Sequence, residues 1–127
     1  MFSLITPKIL QEAKNHFKCS SLTGIHLENE GTESSLGSHF ESRTLGNELM
    51  TAQKAGLSSF SRFSFALLED SGWYKVDYSY ADSFSYGVDN GCEFLSNYSC
   101  NSSFKDYCKE QGNTNCSHDY MSKTVCQ

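Results

Sequence analysis

The chain has 127 residues, the length of one ordinary domain. Ten Lys and Arg against fifteen Asp and Glu give a net charge of −5 and an isoelectric point near 5.2, which argues against nucleic acid as a partner, because such binders carry a basic face to displace counterions from phosphates. No run of eighteen apolar residues occurs, so no transmembrane segment is expected in this sequence. In chain order, Thr6 to Cys19 predicts a short amphipathic helix near 6–18. Thr6 is a good N-cap, Pro7 fits the first helical position, and Ile9, Leu10, Ala13 and Phe17 share one face. Leu22, Ile25 and Leu27 suggest a brief strand or extended turn. Gly31 to Ser38 is Gly- and Ser-rich and reads as a loop, and His39 to Ala55 reads as irregular. A second helix is expected near 58–71, with Ser58 or Ser59 as cap, Phe60, Phe63 and Leu67 repeating at helical steps, and Gly72 at the C-terminal stop. Trp73, Val76, Tyr78 and Tyr80 suggest an extended segment. From Tyr86 onward the chain is turn-rich and polar, with cysteines expected to replace a core.

Six cysteines (Cys19, Cys92, Cys100, Cys108, Cys116 and Cys126) form an even set weighted to the C-terminus, which reads as a disulfide framework from an oxidising compartment. Acceptor sequons begin at Asn97, Asn101 and Asn115 in the same stretch, and together they place the chain on the secretory route, extracellular or at the cell surface. Met1 to Pro7 is too short for an export signal, and Met121 to Gln127 holds no apolar tail for a lipid anchor. The chain is therefore expected to be a piece of something longer.

The common enzyme signatures are missing. There is no Gly-x-Ser-x-Gly, no P-loop and no Gly-x-Gly-x-x-Gly. A structural zinc knuckle needs Cys-x-x-Cys pairs, and the closest cysteine spacing here is eight. Of the histidines, His16 falls on the first helix with a surface or half-buried role as its default, and His26 and His118 sit in polar, solvated contexts. His39 stands out only through its surroundings: Gly37-Ser38-His39-Phe40-Glu41 followed by Asn47-Glu48-Leu49-Met50-Thr51.

Those residues carry a resemblance. Thr6-Pro7 opening a helix, Cys19 after it, Gly37-Ser38-His39, Glu48-Leu49-Met50, Ala66 to Tyr74, Val76-Asp77-Tyr78 and Gly91-Cys92-Glu93-Phe94-Leu95 occur in the order found in the latter part of the leishmanolysins, surface zinc metalloendopeptidases widespread in protists. The resemblance implies that His39 is the third zinc ligand, displaced downstream of a His-Glu-x-x-His helix. Met50, eleven residues on, would be the methionine of the metzincin Met-turn. It also implies one Zn2+ per full-length molecule, protein or peptide substrates, and a bridge between Cys19 and Cys92. The other four cysteines leave three pairings open.

The sequence departs from that pattern at one place: His-Glu-x-x-His is absent from all 127 residues. Two ligands and the general base are therefore missing, so the chain alone is expected to be catalytically silent and not to retain zinc, with no catalytic residue of its own. Glu41 and Glu48 are the nearest carboxylates, and nothing in the sequence positions either as a substitute. The expected fold class is α+β and partly irregular: the C-terminal lobe of a metzincin-type catalytic domain over residues 1–85, with two helices and the Met-turn, then a cysteine-rich extension over 86–127. The alternative reading is a non-catalytic, disulfide-stabilised surface module, a remnant protease serving binding or adhesion. Its contacts would be Trp73, Tyr74, Tyr78, Tyr80 and Tyr86, although the favoured expectation is that these rings pack on the cysteine-rich tail. The aromatic face of Phe60, Phe63 and Phe65 is expected to be left partly uncovered and open to association.

Overall fold

The first helix, α1, spans Pro7–Phe17 and begins where proline's fixed φ suits the first helical turn. Its buried face is Ile9, Ala13 and Phe17, with Leu10 half-buried. Thr6 has the extended backbone of an N-cap, yet its hydroxyl donates to Asp70 Oδ2 at 2.7 Å. The capping acceptor is Asp70, whose carboxylate receives the N–H groups of Lys8 and Ile9 at 3.0 Å each. A carboxylate at a helix N-terminus satisfies otherwise unpaired donors and opposes the helix dipole. The structure, a computed structural model, describes residues 2–52, 56–96, 104–107, 110–116 and 123–125.

Asp70 is the last residue of the helix that packs on α1. That helix, Arg62–Asp70, starts later than the expected residue 58. Ser61 is its N-cap, accepting from Phe63 N–H at 3.2 Å. Neither Ser58 nor Ser59 caps it, because the Ser59 backbone is drawn into a parallel bridge with Glu48. Gly72 follows in the left-handed region, φ 73°, and donates to the Glu69 carbonyl. The two helices are also joined by a fork of two hydrogen bonds, Arg62 to Glu12 at 2.8 and 2.9 Å.

The class is α+β as expected, but more than two helices are present among the described residues. In chain order these are α1, α2 (Ser42–Leu45), α3 (Arg62–Asp70) and α4 (Gly91–Ser96). The α2 turn falls in the stretch expected to be irregular, started by the Glu41 side chain accepting from Arg43 N–H. The described residues also form two antiparallel pairs: β1 (Ser3–Leu4) with β2 (Ile25–His26), and β3 (Thr114–Cys116) with β4 (Lys123–Val125). The extended segment expected after Trp73 does not form a strand. Asp77 accepts from the Ser79 N–H and hydroxyl and turns the chain into a 3-10 helix at Tyr78–Tyr80.

The core draws on residues from Ile9 to Leu95, with Phe104 and Tyr107 packed against it. Phe17 packs on Phe94 with ring centres 5.7 Å apart, and Phe94 stacks on Tyr107 at 4.8 Å. Tyr86, Phe94 and Leu95 are buried, so the segment from Tyr86 supplies core side chains and is not fixed by cysteines alone. Tyr86, expected to pack on the cysteine-rich tail, is 4% exposed, has its ring 6.4 Å from that of Tyr107 and donates its hydroxyl to the Arg43 carbonyl. Phe63 is likewise buried, while Phe60 is exposed and Phe65 half-buried. Gly87 is a position where only glycine fits: φ is 70°, and a Cβ there would lie 2.5 Å from Phe94 and 2.7 Å from Phe17.

Cys19 and Cys92 form a disulfide, as the resemblance implied. It ties the end of α1 to the start of α4 across a separation of 73 residues, which by loop closure alone contributes about 4 kcal/mol. Cys116 has no disulfide partner among the described residues, and Cys100, Cys108 and Cys126 lie outside them, as does His118. No helix among the described residues is long and apolar enough to cross a membrane.

Candidate functional site

The loop leading to His39 is closed by one residue. Glu28 donates its N–H to the His39 carbonyl and accepts the Gly37 N–H at its own carbonyl, both at 2.9 Å. Within that closure the chain turns tightly at Gly31 and Gly37, with φ of 97° and 70°. At Gly37 a Cβ would stand 3.0 Å from the Phe2 ring. His39 emerges half-buried, with Nδ1 3.0 Å from Ser38 Oγ.

The next residue brings the methionine alongside. Phe40 is 1% exposed and bridges Leu27 on one side and Thr51 on the other. Its N–H donates to the Met50 carbonyl at 2.9 Å, so the backbones carrying His39 and Met50 lie side by side. Met50 sits in a tight turn closed by the Thr51 N–H and hydroxyl, which both donate to the Glu48 carbonyl at 3.2 and 2.8 Å. The Met50 side chain is exposed.

What fixes that turn is Glu48, and its role was not legible beforehand. It is 1% exposed, and its carboxylate gathers four donors. Oε2 accepts from Met50 N–H at 2.6 Å; Oε1 accepts from Ser64 Oγ at 2.6 Å, Ser61 Oγ at 2.9 Å and Ser61 N–H at 3.3 Å. A buried carboxylate must be satisfied in this way or lose its charge. Glu48 is thus turned into α3 and away from service as a substitute metal ligand. The available signal was Ser61 and Ser64, two serines three residues apart on the face that also buries Phe63.

Glu41 caps α2 through Oε1, while its Oε2 is buried without a hydrogen-bond partner among the described residues. His26 lies in β2 and is half-buried, not fully solvated. Among the described residues no three His, Cys, Asp or Glu side chains converge as a metal cluster. His39 by itself fits a zinc ligand: its Nδ1 is engaged by a neighbouring hydroxyl, which leaves Nε2 as the nitrogen open to a metal. The described residues supply that one imidazole and not a complete set.

His16, the other histidine of note, serves the fold. Burial pushes its pKa below the ordinary value; the hydrogen bond to the Tyr86 carbonyl, 2.7 Å from Nε2, and the nearby Asp89, Glu12 and Asp106 partly oppose this. It lines a pocket with Glu12, Arg62 and Tyr78, where Arg62 is paired with Glu12 and lies over the Tyr78 ring at 4.3 Å. Those charges are matched within the protein.

Comparison with known proteins gives a consistent result. The leishmanolysin family model, peptidase M8, matches residues 2–127. A leishmanolysin-like peptidase of Drosophila pseudoobscura pseudoobscura is 44% identical over 91 residues, covering 72% of this chain and 13% of that protein. The leishmanolysin homolog of Crithidia fasciculata is 34% identical over 71% of this chain and 14% of its own length. The ciliated left-right organizer metallopeptidase of Danio rerio is 31% identical over 97% of this chain and 20% of its own length. The chain thus spans well under a quarter of the curated relatives it matches. With a family model across nearly its whole length and relatives above 30% identity, the chain belongs to the leishmanolysin family of metallopeptidases.

Proposed function

We propose that this chain is the part of a secreted or surface zinc metalloendopeptidase that delivers the third metal-binding imidazole, His39, and the Met-turn residue, Met50. The observation that carries the reading is the Phe40-to-Met50 hydrogen bond, which sets the two residues on adjoining backbones while Ser38 occupies His39 Nδ1. In this role His39 binds through Nε2, the Glu28 closure orients its loop, and Glu48 holds the methionine turn. When bound, zinc supplies Lewis acidity toward a peptide carbonyl. The remaining ligands and the general base belong to a His-Glu-x-x-His segment outside these 127 residues, and the chain alone does not cleave peptides. The disulfide between Cys19 and Cys92 supports an oxidising compartment.

The test has two steps. Sequencing the 5′ end of the transcript is expected to show His-Glu-x-x-His in frame upstream. The complete gene product is then expected to bind one zinc per molecule, and His39→Ala to lose both zinc and casein cleavage. A complete transcript without the motif, or zinc retained by His39→Ala, overturns the reading. Trp73 and Tyr80, which are 85% and 80% exposed, favour a second reading as a binding module. That reading predicts a partner whose capture is lost in Trp73→Ala without loss of fold.

A further inference from the structure

We infer that Ser38 is a positioning residue that fixes the tautomer of His39, so that Nε2 carries the lone pair; this rests on the reading of His39 as a metal ligand. Ser38 Oγ lies 3.1 Å from the Ser34 carbonyl and 3.1 Å from the Ser35 carbonyl. Carbonyl oxygens only accept, so the single hydroxyl proton goes to them. The hydroxyl meets His39 Nδ1, at 3.0 Å, with its lone pairs. Nδ1 must then be the protonated nitrogen of the neutral ring. The reverse arrangement, with Ser38 donating to Nδ1, would aim serine lone pairs at two carbonyl oxygens.

The hydroxyl is itself held by the loop. Ser35 Oγ accepts from Thr32 N–H at 3.1 Å and donates to the Thr32 carbonyl at 3.0 Å, and Ser38 N–H donates to the Ser35 carbonyl at 3.3 Å. Both acceptors of the Ser38 proton are therefore backbone groups of one closed turn, and the ring is ready as a ligand before any metal arrives. Fixing the tautomer and ring direction of a ligating histidine is the usual work of its outer hydrogen bond.

Two-bond nitrogen–proton NMR of the His39 ring at about pH 8.5, where histidine is neutral, reads the tautomer directly. The protein is expected to show mainly the Nδ1–H form. Ser38→Ala should move the tautomer ratio roughly 2- to 10-fold toward Nε2–H, the ratio one ordinary hydrogen bond supports, and Ser38→Thr should restore it. A mainly Nε2–H ring in the unmodified protein, or an unchanged ratio in Ser38→Ala, overturns the inference. If Ser38→Ala fails to fold, the spectrum of the unmodified protein and that of Ser38→Thr still decide. These spectra need no metal, so they judge Ser38 independently of the zinc measurement on His39→Ala. In the complete gene product, Ser38→Ala is expected to weaken zinc binding roughly 10- to 100-fold, with Ser38→Thr close to the unmodified protein.

Discussion

Replacing Glu48 with alanine tests whether the methionine turn is held by one buried carboxylate. Four donors lose their acceptor: the N–H groups of Met50 and Ser61 and the hydroxyls of Ser61 and Ser64. The two hydroxyls can rotate to other acceptors, whereas the amides are fixed by the backbone. Ser61 is fully buried, so its N–H bears the full loss, about 1–3 kcal/mol for a stranded donor. The Met50 amide lies nearer the surface, where water can replace part of a bond worth about 1.5–3 kcal/mol to a charged acceptor. Together these give a destabilisation of about 3 kcal/mol. Glu48→Gln keeps the shape but must turn its NH2 toward one donor, so it should cost about half as much. Urea unfolding followed by far-UV circular dichroism is the assay, because the single tryptophan, Trp73, is 85% exposed and reports poorly on the core. The expected order of stability is wild type, Glu48→Gln, Glu48→Ala, with faster amide exchange at Met50 in the alanine variant. An alanine variant within about 0.5 kcal/mol of wild type, the range of ordinary surface changes, would refute the reasoning.

Two further outcomes follow from the core. Gly87→Ala should lower the melting temperature by about 10 °C, since a left-handed φ and a Cβ pressed on Phe94 and Phe17 together cost about 3 kcal/mol; a shift of only a few degrees would show that the Phe17–Phe94 contact is loose. The half-buried His16 has a folded pKa below its unfolded value of about 6.5, because burial disfavours its charged form, so the unfolded chain takes up the proton first as pH falls. Its contribution to stability is complete above that value and declines as pH drops toward the folded pKa. Melting curves between about pH 7.5 and pH 5.5 should show a drop that is smaller in His16→Gln, and an equal drop in both proteins would assign it to other groups.

Local signals located α1 and α3 but not the shorter α2 and α4, and long-range contacts set the helix ends. Proline at position 7 and the spacing of Ile9, Ala13 and Phe17 sufficed to place α1, because periodicity and capping act within a few residues. The start of α3 moved from Ser58 or Ser59 to Ser61 because Ser59 was taken by a bridge to Glu48, a competition that no local pattern encodes. The cap of α1 comes from Asp70, more than sixty residues away, which a sequence shows only as one more acidic side chain at a helix end. Tyr86 shows the same limit: packing on the C-terminal tail is readable from the run of aromatics, but that Gly46 and Gly87 leave room for its ring and for Phe94 is not.

The histidine loop was legible only through resemblance, and the reason is chemical. One imidazole between glycines and serines has no partner in sequence that would mark it as a ligand; its significance lies in what holds it. In the structure those holds are all local to this chain: the Glu28 closure, the Ser38 hydroxyl, the Phe40 bridge to Met50, and Glu48 beneath the turn. A ligand fixed by its own chain gives up little further freedom when a metal binds, which lowers the cost of completing the site. On the proposed reading, then, the division of labour is uneven. The absent helix must bring two ligands and a base, but it need not organise the third histidine. Loosening the loop at Gly37, where any Cβ meets the Phe2 ring, should therefore weaken metal binding even though Gly37 touches no metal.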